Sequence, residues 1–524
     1  MTFVKGLKTV ARLALLSVSD KTGLVDLGRS LVEEFQFDII SSGGTAKVLQ
    51  EAGIPVTKVS DYTGFPEILG GRVKTLHPRV HGGILARRDL PEHQQDLEAN
   101  EIRPIDLVVV NLYPFEATIA KADVTLADAV ENIDIGGPAM LRASAKNFQH
   151  LTVLCNPNQY ADYLEQLRQH GDPSFEFRRD CATAGFWHTC QYDRAIATYL
   201  NQQANSDSLP EQFGLAGSQI QALRYGENPH QKAAWYQVGQ TPRGWGAAEK
   251  LQGKELSYNN LVDLEAARRI IAEFLGDDQP PAAAVLKHTN PCGVALGESL
   301  VQAYERAFAA DSVSAFGGIV ALNRCLDAET ATAMTKTFLE CVIVPDCDAA
   351  AREVLAKKSK LRVLTLADLN VGTGETLKAI AGGFLVQTAD DLVEQTQDWQ
   401  VVTEKQPTLQ ELEELLFAWK VCKHVKSNAI VVTKDRTTLG IGAGQMNRVG
   451  AAKIALEQAG EGCQGATLAS DGFFPFDDSV RSAAAAGITA IVQPGGSIRD
   501  KDSIAAANEL GVVMVFTGVR HFLH

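Results

Sequence analysis

Nowhere in this 524-residue chain does a Cys-x-x-Cys pair occur, and its nine cysteines are scattered and odd in number. That pattern argues against a disulfide framework and points to reduced thiols in a cytosolic protein. Positive charge is also short: 49 Lys and Arg stand against 63 Asp and Glu, a formal net charge of −14. General binding to nucleic acid or to an anionic membrane is thereby disfavoured, whereas a small anionic ligand needs only a local cluster of donors. Long uncharged apolar runs are missing too. Residues 1–18 hold short apolar pieces broken by Lys5, Lys8 and Arg12, with no signal-peptide core, and no later stretch is able to span a bilayer. We therefore expect a cytoplasmic protein with neither nucleic acid nor membrane as partner.

What is present is ordinary in bulk, 45% hydrophobic and 21% charged residues. The length exceeds what a single core supports, so two to four domains are expected, and no internal repeat is evident. Residues 13–18 read as a buried strand; Leu24, Leu27, Leu31, Val32 and Phe35 then recur at helical spacing, and 37–40 form a second strand. A turn over 41–45 leads to a short helix over 46–52 stopped by Gly53, and 105–112 is a further β-prone run. A polar segment, 201–217, is the candidate boundary, and a second alternating region follows: strand 282–286, helix 299–310, strand 319–322. Segments 466–470, 478–486, 488–493, 500–510 and 512–517 read β-α-β-α-β, with Gly487 and Gly511 where helix C-caps belong. Strands alternating with helices predict parallel sheets with ligand loops at the strands' C-terminal ends. Residues 357–410 carry little readable chemistry.

Four N-terminal loops that follow apparent strands hold polar or charged groups: 17–21 (Ser-Val-Ser-Asp-Lys), 42–45 (Ser-Gly-Gly-Thr), 70–78 (Gly-Gly-Arg-Val-Lys-Thr-Leu-His-Pro) and 134–137 (Asp-Ile-Gly-Gly). Small residues let backbone N–H groups approach an anion, and hydroxyls and cations complete a phosphate cradle. Any one of these loops is an ordinary strand-to-helix turn. Together with Asn111-Leu112-Tyr113-Pro114-Phe115 and with 141–147 (Leu-Arg-Ala-Ser-Ala-Lys-Asn), they resemble the inosine monophosphate (IMP) cyclohydrolase domain, a methylglyoxal-synthase-like α/β fold, over roughly residues 10–195. The resemblance implies ring closure in which a carboxamide nitrogen attacks a formyl carbon and water leaves. It places Lys74 and Asp134 on the carboxamide and its protons, and Tyr113 and Lys146 on the developing oxyanion. Ser17, Ser19, Lys21, Ser42, Gly44, Thr45, Arg72, Thr75, Gly136 and Gly137 would hold the nucleotide.

In the second region, Lys287 and His288 directly follow a buried strand. A desolvated lysine moves protons readily, and histidine is the side chain whose ordinary pKa lies near neutrality. Arg224-Tyr225-Gly226 with Asn228-Pro229-His230, Lys287-His288 with Asn290-Pro291-Cys292-Gly293, the Gly-rich turn 440–445 with Arg448 behind it, and Phe473-Phe474-Pro475-Phe476 with Asp478 are jointly specific. They resemble the aminoimidazole carboxamide ribonucleotide (AICAR) transformylase domain, over roughly residues 205–524. The whole chain is thus identified as a member of the bifunctional transformylase/cyclohydrolase family of purine synthesis, with domains at 1–200 and 201–524. The second would be a cytidine-deaminase-like α/β region of two subdomains.

The resemblance implies formyl transfer from 10-formyltetrahydrofolate, a cosubstrate and not a prosthetic group, to the 5-amino group of AICAR. His288 would be the base for the amine, Lys287 its support and the proton donor to the leaving nitrogen, and Asn428 the group that orients the formyl. Arg224, Tyr225, His230, Phe316, Gly317, Arg448, Phe473, Asp478, Arg520 and His524 would bind substrates, as would Glu340, which aligns where some relatives carry Asp. The family further implies a homodimer and a possible potassium ion. Zinc is not expected: Pro291-Cys292 begins a Pro-Cys-x-x-Cys, but position 295 is Ala. The competing reading keeps a single-activity transformylase and makes the N-terminal domain a nucleotide-sensing module. Lys74, Asp134 and Lys146 argue against it, because a sensor needs anion donors but no proton-transfer set.

Overall fold

The computed structural model describes residues 11–203, 208–239, 241–393 and 395–524. The start of the chain, and four residues of the polar boundary segment, lie outside the described residues. The chain divides into two compact units, one running to Ser218 together with Val238–Thr241, the other comprising Gln219–Gln237 and Pro242–His524. No helix among the described residues is long and apolar enough to cross a membrane.

The first unit is built on a parallel five-stranded sheet of order β3-β2-β1-β4-β5, with β1 at Leu13–Ser17, β2 at Asp38–Ser41, β3 at Thr57–Lys58, β4 at Leu107–Val110 and β5 at Thr152–Leu154. Strand alternation divides β1 between two cores: Leu13 and Leu15 pack on one face, Ala14 and Leu16 on the other. Both faces are buried, as a parallel sheet requires. The helices in order are α1 (Leu24–Glu33), α2 (Gly43–Glu51), α3 (Val59–Thr63), α4 (Pro78–Leu85), α5 (Pro91–Ala99), α6 (Phe115–Ile119), α7 (Leu126–Glu131), α8 (Gly136–Lys146), α9 (Tyr160–His170) and α10 (Phe175–Gln202). Two expectations change. Helix α2 starts at Gly43, earlier than residue 46, so its first amides belong to the Ser-Gly-Gly-Thr turn. Loops 70–78 and 134–137 do not follow strands: the first overlaps a short 3-10 turn at Leu69–Gly71 and runs into α4, the second joins α7 to α8.

The second unit opens with a small sheet of β6 (Gly217–Leu223) and β7 (Ala233–Val238). It then builds a twelve-stranded sheet that overturns the expectation of no repeat. One half runs β8 (Glu249–Gln252), α11 (Tyr258–Ala272), hairpin β9–β10 (Ala282–Lys287, Asn290–Leu296), α12 (Leu300–Ala310), β11 (Gly318–Leu322), α13 (Ala328–Met334), β12 (Leu339–Val344), α14 (Ala349–Ala356) and β13 (Arg362–Thr365). Then β14 (Glu375–Ile380) and β15 (Gly383–Thr388) form a separate two-stranded sheet. The other half runs β16 (Gln400–Val401), α15 (Leu409–Cys422), hairpin β17–β18 (Ile430–Lys434, Thr437–Gly442), α16 (Arg448–Ala459), β19 (Thr467–Ser470), α17 (Asp478–Ala486), β20 (Ala490–Gln493), α18 (Asp500–Leu510) and β21 (Val513–Phe516).

The strand order, β16-β21-β20-β19-β17-β18-β10-β9-β11-β12-β13-β8, is the same sequence of roles read inward from each edge. Helices α11 and α15 both start with a capping box and share one core layer. The glycine-rich segment is also not a ligand turn throughout. Gly440 and Gly442 lie in β18, where an added Cβ would meet the Ala455 and Ala451 carbonyls of α16, as Gly293 of β10 meets Ala307 of α12. Those glycines allow a helix backbone to lie directly on each hairpin.

Candidate active sites

In the first unit the chain leaves β1 and β4 in opposite directions, and such a divergence opens a crevice at the C-terminal edge of the sheet. A cavity of ≈ 670 Å³ lies there. It is lined by Ser17, Ser19, Lys21, Ser42, Gly44, Thr45, Arg72, Lys74, Thr75, Tyr113, Asp134, Gly136 and Gly137. Asn111, quoted in a sequence motif but given no role, holds the wall. Its Oδ1 accepts from the Ser19 and Asp20 amides at 2.5 and 2.9 Å. Lys21 Nζ donates to Thr45 Oγ1 at 3.1 Å, and burial pushes its pKa down. Lys74 Nζ lies 3.4 Å from Glu67 and over Gly43 and Gly71, whose added Cβ atoms would stand 3.6 and 3.1 Å from it. Arg72 is bridged to Glu131, which also lines the cavity.

Asp134 is the most constrained acid here. Burial pushes its carboxyl up, while amides of Gly137, Tyr113 and Gly136 pull it partly back. Its own amide donates to the phenol of Tyr192 at 2.7 Å, a contact from α10 with no signal in the local sequence. Lys146 does not join this set. It is exposed at the last residue of α8, ten residues beyond Gly136 and so roughly 15 Å along the helix axis.

In the second unit Lys287 closes β9, and His288 and Thr289 form the two-residue turn into β10, with φ of +53° and +64°. Lys287 Nζ donates to the Phe316 carbonyl at 3.0 Å, and the Gly317 amide to the Phe338 carbonyl at 2.8 Å, so Phe316 and Gly317 adjoin the lysine. Asn290 Oδ1 accepts from the Lys426 amide at 3.1 Å, which ties the His288 turn to the segment carrying Asn428. The C-terminal tail returns to that segment: the Ser427 amide donates to the Leu523 carbonyl at 2.9 Å and the His521 amide to the Asp471 carbonyl at 3.3 Å. Arg520 and His524 both pack on Phe522, whose ring covers Gly472 beside the exposed Phe473. Arg224 stacks on Tyr225, and His230 is exposed in the same turn-rich segment. That segment reaches α11 through Asn259, which donates to the Glu227 carbonyl at 3.4 Å.

Three predicted binding residues are otherwise engaged. Arg448 is buried, its guanidinium held by Asp471, Ser470 and Asn428, so it fixes the Asn428 side chain. Glu340 is paired with Arg362 at 2.7 Å. Asp478 accepts the Ser479 amide at 2.7 Å in the first turn of α17. Asp263, which accepts from the Thr289 amide at 2.7 Å, and Asp471, held by Arg448 and Ser427, carry no signal in the sequence, since each lies far along the chain from its partners.

Against known proteins, residues 144–458 match the model of the AICARFT/IMPCHase bienzyme family. The chain belongs to that family. Residues 23–139 match the MGS-like domain as well. The "Bifunctional purine biosynthesis protein PurH" of Nostoc punctiforme is 73% identical to this bienzyme chain, over 98% of this chain and 100% of the relative. The proteins of that name from Synechocystis sp. and Synechococcus elongatus are each 70% identical, over the same shares of both chains. This member of the bienzyme family is an enzyme with two activities, formylation of AICAR and closure of the formylated product to IMP. A single-activity transformylase is thereby excluded.

Proposed function

We propose that the two reactions run in separate places, cyclisation in the first unit's cavity and formyl transfer at the His288 turn, with the domains divided near residues 200–201 as the sequence suggests. The observation that carries this reading is the placement of two proton-transfer sets on two different units: Asp134 with Lys74 and Tyr113, and His288 with Lys287.

For cyclisation the nucleophile is a weakly basic carboxamide nitrogen. A buried carboxylate with raised proton affinity suits it as acceptor of the nitrogen's proton, and Asp134 has that character. Lys74 and Tyr113 face the same cavity and supply donors for the oxygen that becomes negative before it leaves as water. The ribonucleotide phosphate fits the start of α2, where the Gly43–Thr45 amides meet Lys21, Ser17 and Ser19.

For formyl transfer, His288 takes the proton of the attacking aromatic amine, and Lys287 delivers one to the departing N10 of the folate. Asn428, clamped by Arg448 and the Gln445 carbonyl, presents a fixed amide to the formyl group. A homodimer is supported by the β14–β15 sheet, which exposes Leu377, Ile380 and Leu385; two strands alone are marginally stable in water and gain from cover by a second copy. A cytoplasmic location is in keeping with the small-molecule substrates and the free cysteines among the described residues. Potassium rests on the family resemblance alone.

The decisive experiment separates the activities in the full-length enzyme, following tetrahydrofolate and IMP spectroscopically. His288→Ala is expected to abolish formyl transfer and spare cyclisation of pre-formed formyl intermediate, and Lys74→Ala to do the reverse. If either change stopped both reactions in a folded protein, the two-site reading would fail.

A further inference from the structure

Both hairpins of the duplicated sheet turn on two non-glycine residues with positive φ. In β9–β10 these are His288 and Thr289, at +53° and +64°; in β17–β18 they are Asp435 and Arg436, at +52° and +54°. Such turns suit the twist of paired strands but favour Asn-Gly, because a Cβ crowds the backbone at positive φ. Each turn therefore needs something to hold it.

In both copies the holder is an acid on the helix that precedes the hairpin. Asp263 Oδ1 of α11 accepts from the Thr289 amide at 2.7 Å, and Glu414 Oε2 of α15 accepts from the Arg436 amide at 2.7 Å. The lysine that ends each first strand is also anchored alike, Lys287 Nζ to the Phe316 carbonyl at 3.0 Å and Lys434 Nζ to the Gln464 carbonyl at 2.9 Å. The second copy has no imidazole in its turn, yet it keeps the acid and the lysine contact. Those two features therefore shape the turn, and the imidazole is what the first copy adds to it.

We propose that Asp263 is a positioning residue for formyl transfer: its half-buried carboxylate fixes the left-handed His288–Thr289 turn and thereby aims the imidazole at the ribonucleotide amine. This rests on the reading of His288 as the base. Asp263 also lies one helical turn beyond Asn259, which holds the Glu227 carbonyl, so one face of α11 sets both the His288 turn and the segment bearing Arg224 and Tyr225.

The test uses the full-length enzyme and its second activity as an internal control. Asp263→Ala is expected to lower kcat of formyl transfer by roughly 10- to 100-fold, a part of the roughly 10²–10⁴-fold that a positioned general base supplies. KM for both substrates should stay within about threefold, since an interaction made only in the transition state is the one removed. Cyclisation of pre-formed formyl intermediate should be unchanged. Asp263→Asn keeps an acceptor for the Thr289 amide and should recover most of the lost rate. Glu414→Ala, the same change in the copy without an imidazole, should leave formyl transfer intact.

His288→Ala is run alongside. If it abolishes formyl transfer while Asp263→Ala leaves kcat untouched, the positioning role is wrong and the base assignment stands. If His288→Ala retains formyl transfer, the base assignment fails and the positioning role falls with it. Equal losses from Asp263→Ala and Glu414→Ala would make Asp263 an ordinary structural carboxylate and overturn the proposal.

Discussion

Arg448 and Asn428 are joined side chain to side chain, Nη2 donating to Oδ1 at 2.8 Å, while the same guanidinium neutralises the fully buried Asp471. The arginine therefore holds two groups at once, the buried carboxylate and the amide proposed to orient the formyl. Arg448→Ala leaves a buried carboxylate unpaired, a change that typically costs about 3–5 kcal/mol. A marked fall in melting temperature is expected together with loss of formyl transfer. Arg448→Lys keeps the charge but loses the planar fork, so it should reduce formyl transfer more than it reduces stability. Thermal unfolding and the two activity assays check both outcomes.

Asp134 should show activity and stability pulling in opposite directions. Burial raises its proton affinity, so between the ordinary carboxyl range and its folded value the unfolded chain ionises first, and stability falls as pH rises through that window. Asp134→Asn keeps an acceptor for the Gly137 amide and carries no charge. It is expected to abolish cyclisation, spare formyl transfer and melt at or above the parent at neutral pH. The difference should vanish below about pH 4, where the unfolded carboxyl also holds its proton.

Gly137 leaves no room for a side chain, since an added Cβ would overlap the Asp134 carboxylate and stand 2.6 Å from Leu112. Gly137→Ala should displace Asp134 and cut kcat of cyclisation, with a stability cost of roughly 1–3 kcal/mol from overpacking. Undiminished cyclisation in a correctly melting Gly137→Ala protein would contradict the placement of Asp134.

Glu273 gives a stability prediction remote from both reactions. Burial works to raise its pKa, but His424 at 3.0 Å and Lys423 at 3.1 Å outweigh that and hold it down at about 2. With a folded value below the unfolded one, its contribution is complete above the ordinary glutamate pKa and is lost as pH falls toward about 2. Glu273→Gln should therefore destabilise the protein at neutral pH by about 3–5 kcal/mol, an effect that shrinks on acidification. Equal melting of the two proteins at pH 7 would sink the prediction.

Much of the architecture was readable because local signals and tertiary demands agree. The helices at Asp478–Ala486 and Asp500–Leu510 end on Gly487 and Gly511 in left-handed conformation, as their spacing suggests. The first unit's cavity was equally legible, since its loops carry their donors in short motifs, two of them at strand ends. The duplication was not. Lys287 to Gly293 and Lys434 to Gly440 have the same spacing but share little between, because a hairpin packed under a helix constrains the anchor and the small residue and leaves the rest free. Asp263 and Asp471 were invisible for a related reason: each reaches its partner through the fold, one from a helix face and one from a buried strand end. Lys146 shows the converse, a motif residue that helix geometry carries away from the cavity its neighbours line.

Strands β10 and β18 meet at the middle of the long sheet, pairing antiparallel at Ala295 and Thr437. A chain of half this length would end there on an open edge, which only another molecule could close. Tethering the halves makes that closure independent of concentration and gives each edge its own sequence to modify. One corner carries an imidazole at His288 and the other has Asp435 in the matching place. The enzyme thus carries inside itself a replica of the His288 turn without its imidazole, against which the contribution of shape can be weighed apart from that of the side chain.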